Sequence, residues 1–221
     1  MSKKNKSRLD VKNILEVLEV LSQEIKGIQT PLKEFERIQT KDPFKILVAT
    51  ILSSRTKDEV TSKAAKRLFS RADNVNELAG LDAREIETLI YPVGFYKNKA
   101  KFLAALPKAL EPFDGRIPDT LKELLALPGV GRKTANLVLS RAFGKHAICV
   151  DTHVHRLVNM WGWVETKSPT ETEHKLKRLL PKTFWSRVNS ILVAFGQSVC
   201  RPVAPKCNNC PLKGLCPGEK S

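Results

Sequence analysis

Four of the five cysteines lie close together near the C-terminus, where they could hold a metal. They are Cys200, Cys207, Cys210 and Cys216, with the spacing C-x6-C-x2-C-x5-C. A disulfide framework is not expected, because the chain shows no export signal and reducing compartments keep thiols free. Thiolates this close repel one another unless a cation binds them, so the spacing predicts a metal site. Zinc and a [4Fe–4S] cluster both accept four cysteines, and the spacing does not distinguish them.

The segment Leu127–Ala135, which reads LPGVGRKTA, combines a glycine turn with two cations. The pattern predicts that one helix ends before the turn and another begins near Arg132. Gly129 and Gly131 can adopt positive φ and leave backbone amide groups uncovered beside a helix N-terminus. Such amide groups and the helix dipole suit a phosphate oxygen. An ordinary turn is the alternative, but Arg132 and Lys133 favour phosphate binding.

Lys133 and Asp151 could form a reacting pair. A neutral lysine is a nucleophile that can form Schiff bases, although a solvated lysine that contacts phosphate is the commoner role. Asp151 is predicted to cap the helix that begins at Thr152. A helix from Lys133 to Phe143 rises about 15 Å, and the residues between it and Asp151 can return up to about 23 Å. The carboxylate can therefore lie beside the amine, where it could accept a proton or stabilise a cation.

The net charge favours a polyanionic partner. The 221 residues include 38 Lys and Arg and 23 Asp and Glu, which gives a net charge of +15. Cations that neutralise phosphates bind nucleic acid of any sequence, and solubility or an unusual internal salt is the alternative. No apolar run approaches the roughly 20 residues of a membrane span. Lys97, Lys99 and Lys101 are expected to lie on a solvated helix face rather than to make specific contacts.

Helical periodicity dominates the chain and predicts an all-α fold that ends in a cysteine-rich loop. Asp42-Pro43 marks one helix start and Asp58 another. Strand alternation is absent, and residues 147–150 form a plausible crossing between two domains. The other predicted helices span residues 9–25, 83–91, 98–110, 121–126, 133–143, 152–160, 170–180 and 182–195.

Three motifs, taken in order, resemble the endonuclease III family of the helix-hairpin-helix superfamily of DNA glycosylases. They are the LPGVGRKTAN hairpin, Val150-Asp-Thr-His153 and the cysteine tail, and the resemblance extends from about Pro43 to Cys216. It implies two helical domains with a DNA-binding cleft between them. One is a six-helix barrel at residues 35–146 that contains the hairpin. The other is discontinuous, at residues 1–34 and 147–221, and carries a [4Fe–4S] cluster.

The resemblance also implies a bifunctional DNA glycosylase and AP lyase of base excision repair. Lys133 matches the family nucleophile, which attacks C1′ of the deoxyribose of a flipped-out nucleotide. Asp151 matches the carboxylate that activates it, and β-elimination then nicks the strand 3′ to the abasic site. The usual substrates are oxidised pyrimidines such as thymine glycol. The implied DNA contacts are Gly129, Val130, Gly131, Arg132, Arg55 and Phe95.

Arg55 departs from the family pattern, and Phe95 has an alternative role. Arg55 stands where the bacterial pattern has glutamine, at the position that fills the gap left by the flipped nucleotide. Its side chain therefore leaves the preference for the opposite base open. Phe95 stands where a wedging apolar residue is expected, with core packing as the alternative.

Two other functions stay open at this point. A glycosylase for mismatched or deaminated bases would use the same scaffold with a different pocket. A non-catalytic DNA-binding protein with a four-cysteine zinc site would explain the charge, the hairpin and the cysteines, but not the pairing of Lys133 with Asp151. The expected partner is duplex DNA that contains damaged bases or abasic sites. The protein is expected to be a monomer in the cytoplasm, associated with the nucleoid, or in the nucleus of a eukaryote.

Overall fold

The computed structural model describes Leu9, residues 13–26 and residues 41–218, and these ranges contain helices and no strand. The prediction of an all-α fold is therefore confirmed. The described α-helices, numbered here in chain order, are α1 Ile14–Glu24, α2 Pro43–Ser53, α3 Asp58–Phe69, α4 Val75–Ala79, α5 Ala83–Ile90, α6 Tyr96–Ala109, α7 Leu121–Ala126, α8 Arg132–Arg141, α9 Thr152–Met160, α10 Pro169–Leu179 and α11 Lys182–Ser198. Short 3-10 helices lie at Glu111–Phe113 and Cys207–Asn209.

The chain divides into two compact units. Unit 1 takes in Met1–Thr30 and Ile148–Ser221, and unit 2 is Pro31–Ala147. The first boundary predicted from the sequence, between residues 34 and 35, lies outside the described residues. Within the described ranges, every helix is too short or too polar to cross a lipid bilayer.

Helix α2 is the centre of unit 2. Its residues Ile46–Leu52 are all buried, and it packs against α3, α6 and α8. A helix that is apolar on every side is stable only when other helices surround it. Asp42 caps this helix as predicted, since its carboxylate accepts the amide hydrogen of Phe44 at 2.8 Å. Helix α2 therefore packs directly against α8, the helix that begins at Arg132.

Unit 1 is built around α11, which packs against α1 and α9. Trp161 and Phe195 are fully buried there, with ring centroids 6.1 Å apart, and the Trp163 ring lies 4.8 Å from that of Trp161. This aromatic core lies directly before the cysteine segment. Trp161 and Phe195 also line the cavity that contains the four C-terminal cysteines.

The observed helices differ from the predicted ones mainly at their ends. Helix α6 begins at Tyr96 rather than residue 98, and α8 runs from Arg132 to Arg141 rather than over 133–143. The short helix α4 was not predicted. Its signal was a cap: the Asn74 side chain accepts the Glu77 amide at 3.0 Å, while the Glu77 carboxylate accepts the Asp73 amide at 2.7 Å. Five residues are too few for hydrophobic periodicity to reveal a helix.

Candidate functional site

The turn at residues 127–131 joins α7 to α8 and forms the predicted hairpin. Leu127 and Val130 are buried, and the Val130 amide donates to the Leu127 carbonyl at 3.2 Å. Gly129 and Gly131 are exposed. The apolar residues therefore anchor the turn, while its glycines and the first turn of α8 face outward. The first amide groups of a helix have no acceptor within it, which makes this surface suitable for an anionic oxygen.

The two glycines serve different purposes. Gly129 has φ +73°, and a Cβ there would lie 2.7 Å from the Phe102 ring. Gly131 has φ −92°, and nothing lies within 4 Å of where its Cβ would be. Of the two glycines that could adopt positive φ, only Gly129 does so. The fold requires glycine at 129 only, so the open space at Gly131 is available to a group from outside the protein.

Lys133 lies on the first turn of α8, one residue after Arg132, and it is exposed. The same helix buries Ala135, Val138 and Leu139 on its opposite side, where it packs against α2. Lys133 and Arg132 are thus held at the helix N-terminus by a rigid apolar contact. Their positions match the hairpin predicted from the sequence, and Lys133 belongs to unit 2.

Asp151 belongs to unit 1 and caps α9, as predicted. Its Oδ1 accepts the amide hydrogen of Val154 at 2.9 Å, and the residue is partly buried. The extended segment before it is fixed in the core, where the buried Asn189 amide donates to the Cys149 carbonyl at 3.0 Å. One carboxylate oxygen is therefore committed to the helix cap, and the other oxygen is the one that could serve chemistry.

Arg55 and Phe95 come together, although they are far apart in the sequence. The Arg55 guanidinium lies over the Phe95 ring, 5.2 Å from its centroid. Both residues have left-handed backbones, with φ +53° and +57°, and both are exposed. Core packing of Phe95 is excluded, because its side chain is 59% exposed. A stacked cation and ring on the surface is suited to contact with bases and phosphates.

Lys99 is not on a solvated face, and that expectation was wrong. The residue is only 5% exposed, and its Nζ donates to the Leu52 carbonyl at 2.8 Å and to the Ser54 carbonyl at 2.5 Å. Burial lowers the pKa of its ammonium to about 8. The sequence did contain a signal: Lys99 precedes the buried Leu103 and Leu106 by four and seven residues, which places it on their face of α6.

The four C-terminal cysteines line one cavity in unit 1. Its volume is about 220 Å³, and its walls include Trp161 and Phe195 from the aromatic core. All four are partly buried, and none of them forms a disulfide. Among the described residues, no three His, Cys, Asp or Glu side chains are arranged to hold one metal ion. The fit of a metal group therefore depends on the donor type and on the room in the cavity.

The thiols are near enough to influence one another. Burial raises the pKa of Cys210 and of Cys216, and the neighbouring cysteines raise both further. A thiol must lose its proton to bind a metal, so metal binding at these cysteines would release protons. Four thiolates are also the donor set that an iron–sulfur cluster takes. The residues present thus fit the cluster that the resemblance implies.

Arg156 is a neighbour of this centre that the sequence analysis did not identify. Its guanidinium donates to the Cys200 carbonyl at 2.6 Å and lies 3.8 Å from the Cys200 Sγ. The indole of Trp161 also donates toward Cys216. Hydrogen bonds of this kind orient cysteine ligands and are part of a metal centre. Arg156 lies within α9, the helix that Asp151 caps.

Comparison with known proteins identifies the family. Residues 48–182 match the family described as "HhH-GPD superfamily base excision DNA repair protein". Endonuclease III of Thermotoga maritima is 46% identical over 202 residues, which cover 90% of this chain and 92% of that protein. The chain belongs to the endonuclease III family.

Solved structures agree with this assignment. An endonuclease III trapped as a covalent intermediate with DNA matches with a TM-score of 0.85 and 34% identity, over 94% of this chain and 96% of that one. A thermostable thymine-DNA glycosylase matches with a TM-score of 0.80 and 26% identity, over 94% of this chain and 97% of that one. As a member of the endonuclease III family, the protein is a base excision repair enzyme, a DNA glycosylase and AP lyase.

Proposed function

We propose that this endonuclease III family enzyme removes oxidised pyrimidines, such as thymine glycol, from duplex DNA and nicks the strand 3′ to the resulting abasic site. The observation that carries the proposal is the exposed Lys133 on the first turn of α8, directly behind a hairpin suited to phosphate. The covalent DNA intermediate reported for the similar endonuclease III supports a nucleophile on the protein.

The proposed reaction begins when the neutral Nζ of Lys133 attacks C1′ of a flipped-out nucleotide. The bond between C1′ and the base breaks, and the base leaves with the electron pair and takes up a proton. The sugar ring opens to an imine between Lys133 and C1′. Loss of a proton from C2′ then expels the 3′ phosphate, which cuts the strand. Hydrolysis of the imine releases the lysine.

Asp151 is proposed to assist the first step. Its carboxylate accepts a proton from the lysine or stabilises positive charge on the sugar, as a general base does. The Val154 amide holds the carboxylate in one orientation, which reduces the cost of aligning it for reaction. The proposal thus assigns two tasks to Asp151, one structural and one catalytic.

The proposed DNA contacts are the hairpin and the stacked pair. Gly129, Gly131 and Arg132 would hold a phosphate, while the buried Val130 anchors the turn. Arg55 and Phe95 would occupy the duplex where the nucleotide has left, with Phe95 as the wedge. The partner is duplex DNA with damaged bases or abasic sites, bound by a monomer.

We also propose that Cys200, Cys207, Cys210 and Cys216 hold a [4Fe–4S] cluster. The four thiols around one cavity of about 220 Å³ support it. The cluster would supply no step of the reaction. It would order the exposed loop from Arg201 to Lys206, whose basic ends could then meet phosphates.

A lesion panel with a strand-nicking readout tests the proposed function. Duplexes would carry thymine glycol, uracil opposite G, or T opposite G. We expect release and nicking at thymine glycol. A preference for T opposite G would favour the second candidate, a mismatch glycosylase. The 26% identity to a thymine-DNA glycosylase supports that candidate, and Arg55 leaves the preference for the opposite base open. Binding without base release or nicking on any of these duplexes would contradict the proposed function.

A further inference from the structure

Lys99 connects two surface turns that the sequence places far apart. Its ammonium donates to the carbonyls of Leu52 and Ser54 and to the Thr56 hydroxyl, at 2.8, 2.5 and 3.2 Å. These acceptors lie at the end of α2 and in the loop after it, whereas Lys99 is in the first turn of α6. Three donors on one ammonium therefore meet three acceptors that surround Arg55.

The two turns also touch directly. Gly94 lies so close to the Arg55 turn that a Cβ would be 2.5 Å from the Arg55 carbonyl oxygen. The Gly94 amide donates to the Thr56 hydroxyl at 3.1 Å, and the same hydroxyl accepts from Lys99. Phe95 follows Gly94 at once. The Lys99–Thr56–Gly94 contacts thus fix the Phe95 backbone relative to the Arg55 backbone.

This support is needed because Arg55 and Phe95 are both strained. A non-glycine residue with positive φ has a higher energy than one in the ordinary regions, and it persists only where its surroundings impose it. The two strained residues place their side chains in one exposed stack, 5.2 Å from guanidinium carbon to ring centroid. An apolar residue at position 99 would avoid the desolvation cost of a buried ammonium. However, it could not donate hydrogen bonds to the three acceptors around Arg55.

We propose that Lys99 is a positioning residue for lesion recognition, because it joins the Arg55 and Phe95 turns and presents the stacked pair to duplex DNA as one rigid unit. Lys99 itself contacts no DNA and acts through the pair. The inference rests on the proposed function in one respect, namely that Arg55 and Phe95 enter the damaged duplex. It adds a third, buried residue to that recognition site.

A mutant cycle that measures DNA affinity tests the inference, and it requires neither base release nor nicking. Equilibrium affinity is measured for a duplex with a tetrahydrofuran abasic-site analogue and for the undamaged duplex, and the ratio of the two is the readout. We expect Lys99→Met to lower this ratio about tenfold, as for residues coupled through contact. The double variant Arg55→Ala/Phe95→Ala should lower it too, and Lys99→Met added to that variant should cause no further loss. Lys108→Met, which removes an exposed charge from the same helix, should leave the ratio unchanged.

Additive losses in the combined variant would overturn the inference, and so would a Lys99→Met variant with the wild-type ratio. Thermal unfolding shows whether each variant folds. If Lys99→Met does not fold, Thr56→Val carries the same cycle, because it removes the hydroxyl shared by Lys99 and Gly94 while nearly keeping the side-chain shape. Absence of nicking by the wild type would contradict the proposed function instead, since the binding ratio does not depend on Lys133.

Discussion

Lys133 is the residue on which the proposed chemistry depends. Its side chain is exposed at the start of α8, so Lys133→Gln should leave the fold and the cluster content unchanged. We expect coupled base release and nicking to fall by orders of magnitude, because the imine cannot form. Borohydride, which reduces an imine to a stable adduct, should trap the wild type on lesion DNA and not the variant. Lys122→Gln, an exposed lysine of α7, is the matched control. Wild-type trapping by Lys133→Gln would place the nucleophile elsewhere.

Two roles of Asp151, the capping of α9 and the negative charge of its carboxylate, can be separated by substitution. Asn is as good an N-cap as Asp, so Asp151→Asn should keep the bond from the Val154 amide and the stability of α9. Base release should drop steeply because the charge is gone, while binding of lesion DNA persists or tightens. Single-turnover base release and equilibrium binding measure the two effects. Asp151→Ala, which loses the cap as well, should cost about 1 kcal/mol of stability in addition. Normal base release by Asp151→Asn would remove the carboxylate from the mechanism.

Lys99 should make the free energy of unfolding depend on pH in a measurable way. Burial lowers its pKa from the ordinary 10.5 to about 8. Between these values the unfolded chain binds more protons than the folded protein, so the free energy of unfolding rises with pH across that interval. We expect wild type to gain stability relative to Lys99→Met from about pH 8 towards pH 10.5. Denaturant unfolding at several pH values checks this, and parallel pH profiles of the two proteins would contradict it.

At the scale of elements, the two glycines of the hairpin have separate roles. Gly129 is needed for the stability of the fold, and Gly131 is proposed to affect DNA affinity. Gly131→Ala meets no neighbouring atom, so stability should change by less than about 0.5 kcal/mol. The added methyl group would nevertheless lie where phosphate approaches, and affinity for damaged and undamaged duplex should fall alike. Equilibrium binding to both duplexes measures this. Loss of lesion preference with normal affinity for undamaged DNA would be inconsistent with a phosphate site at the hairpin.

Gly129→Ala is the matched variant, and it should behave in the opposite way. Its positive φ disfavours alanine by about 1–2 kcal/mol, and the new methyl group would collide with the Phe102 ring. We therefore expect Gly129→Ala to unfold at a lower temperature than the wild type. Gly131→Ala should unfold at the wild-type temperature. Thermal unfolding followed by circular dichroism distinguishes them, and equal destabilisation by both would show that the fold requires both glycines.

Elements with strong local signals could be predicted, and weakly marked ones could not. The cap at Asp42 and the apolar run after it predicted α2, and Asp151 predicted the start of α9. Helix α4 has only five residues and was missed, because its stability comes from its caps and from packing against α6. Local patterns thus identify long helices, whereas short ones depend on what surrounds them.

At the scale of the whole molecule, the cluster is expected to be structural. The purified protein should be brown, with broad visible absorbance and iron in place of zinc. Anaerobic removal of iron should expose residues 201–218 to proteolysis first and lower DNA affinity, because metal binding and local folding are coupled. Unit 2 has its own apolar core and should resist proteolysis for longer. A colourless zinc protein, or an iron-free protein with full DNA affinity, would contradict this.

The monomeric state and the cytoplasmic location stay predictions.

The sequence by itself determined the helical class, the hairpin, the four cysteines and the family, because these depend on residue types at fixed short spacings. Tertiary structure decided what depends on contacts across the chain. It brought Arg55 over Phe95, gathered the cysteines around one cavity, and buried Lys99 against carbonyls some 45 residues earlier. A lysine is solvated unless hydrogen-bond partners compensate for its burial, and these partners come from the end of α2 and from the loop after it. No spacing within α6 could reveal them.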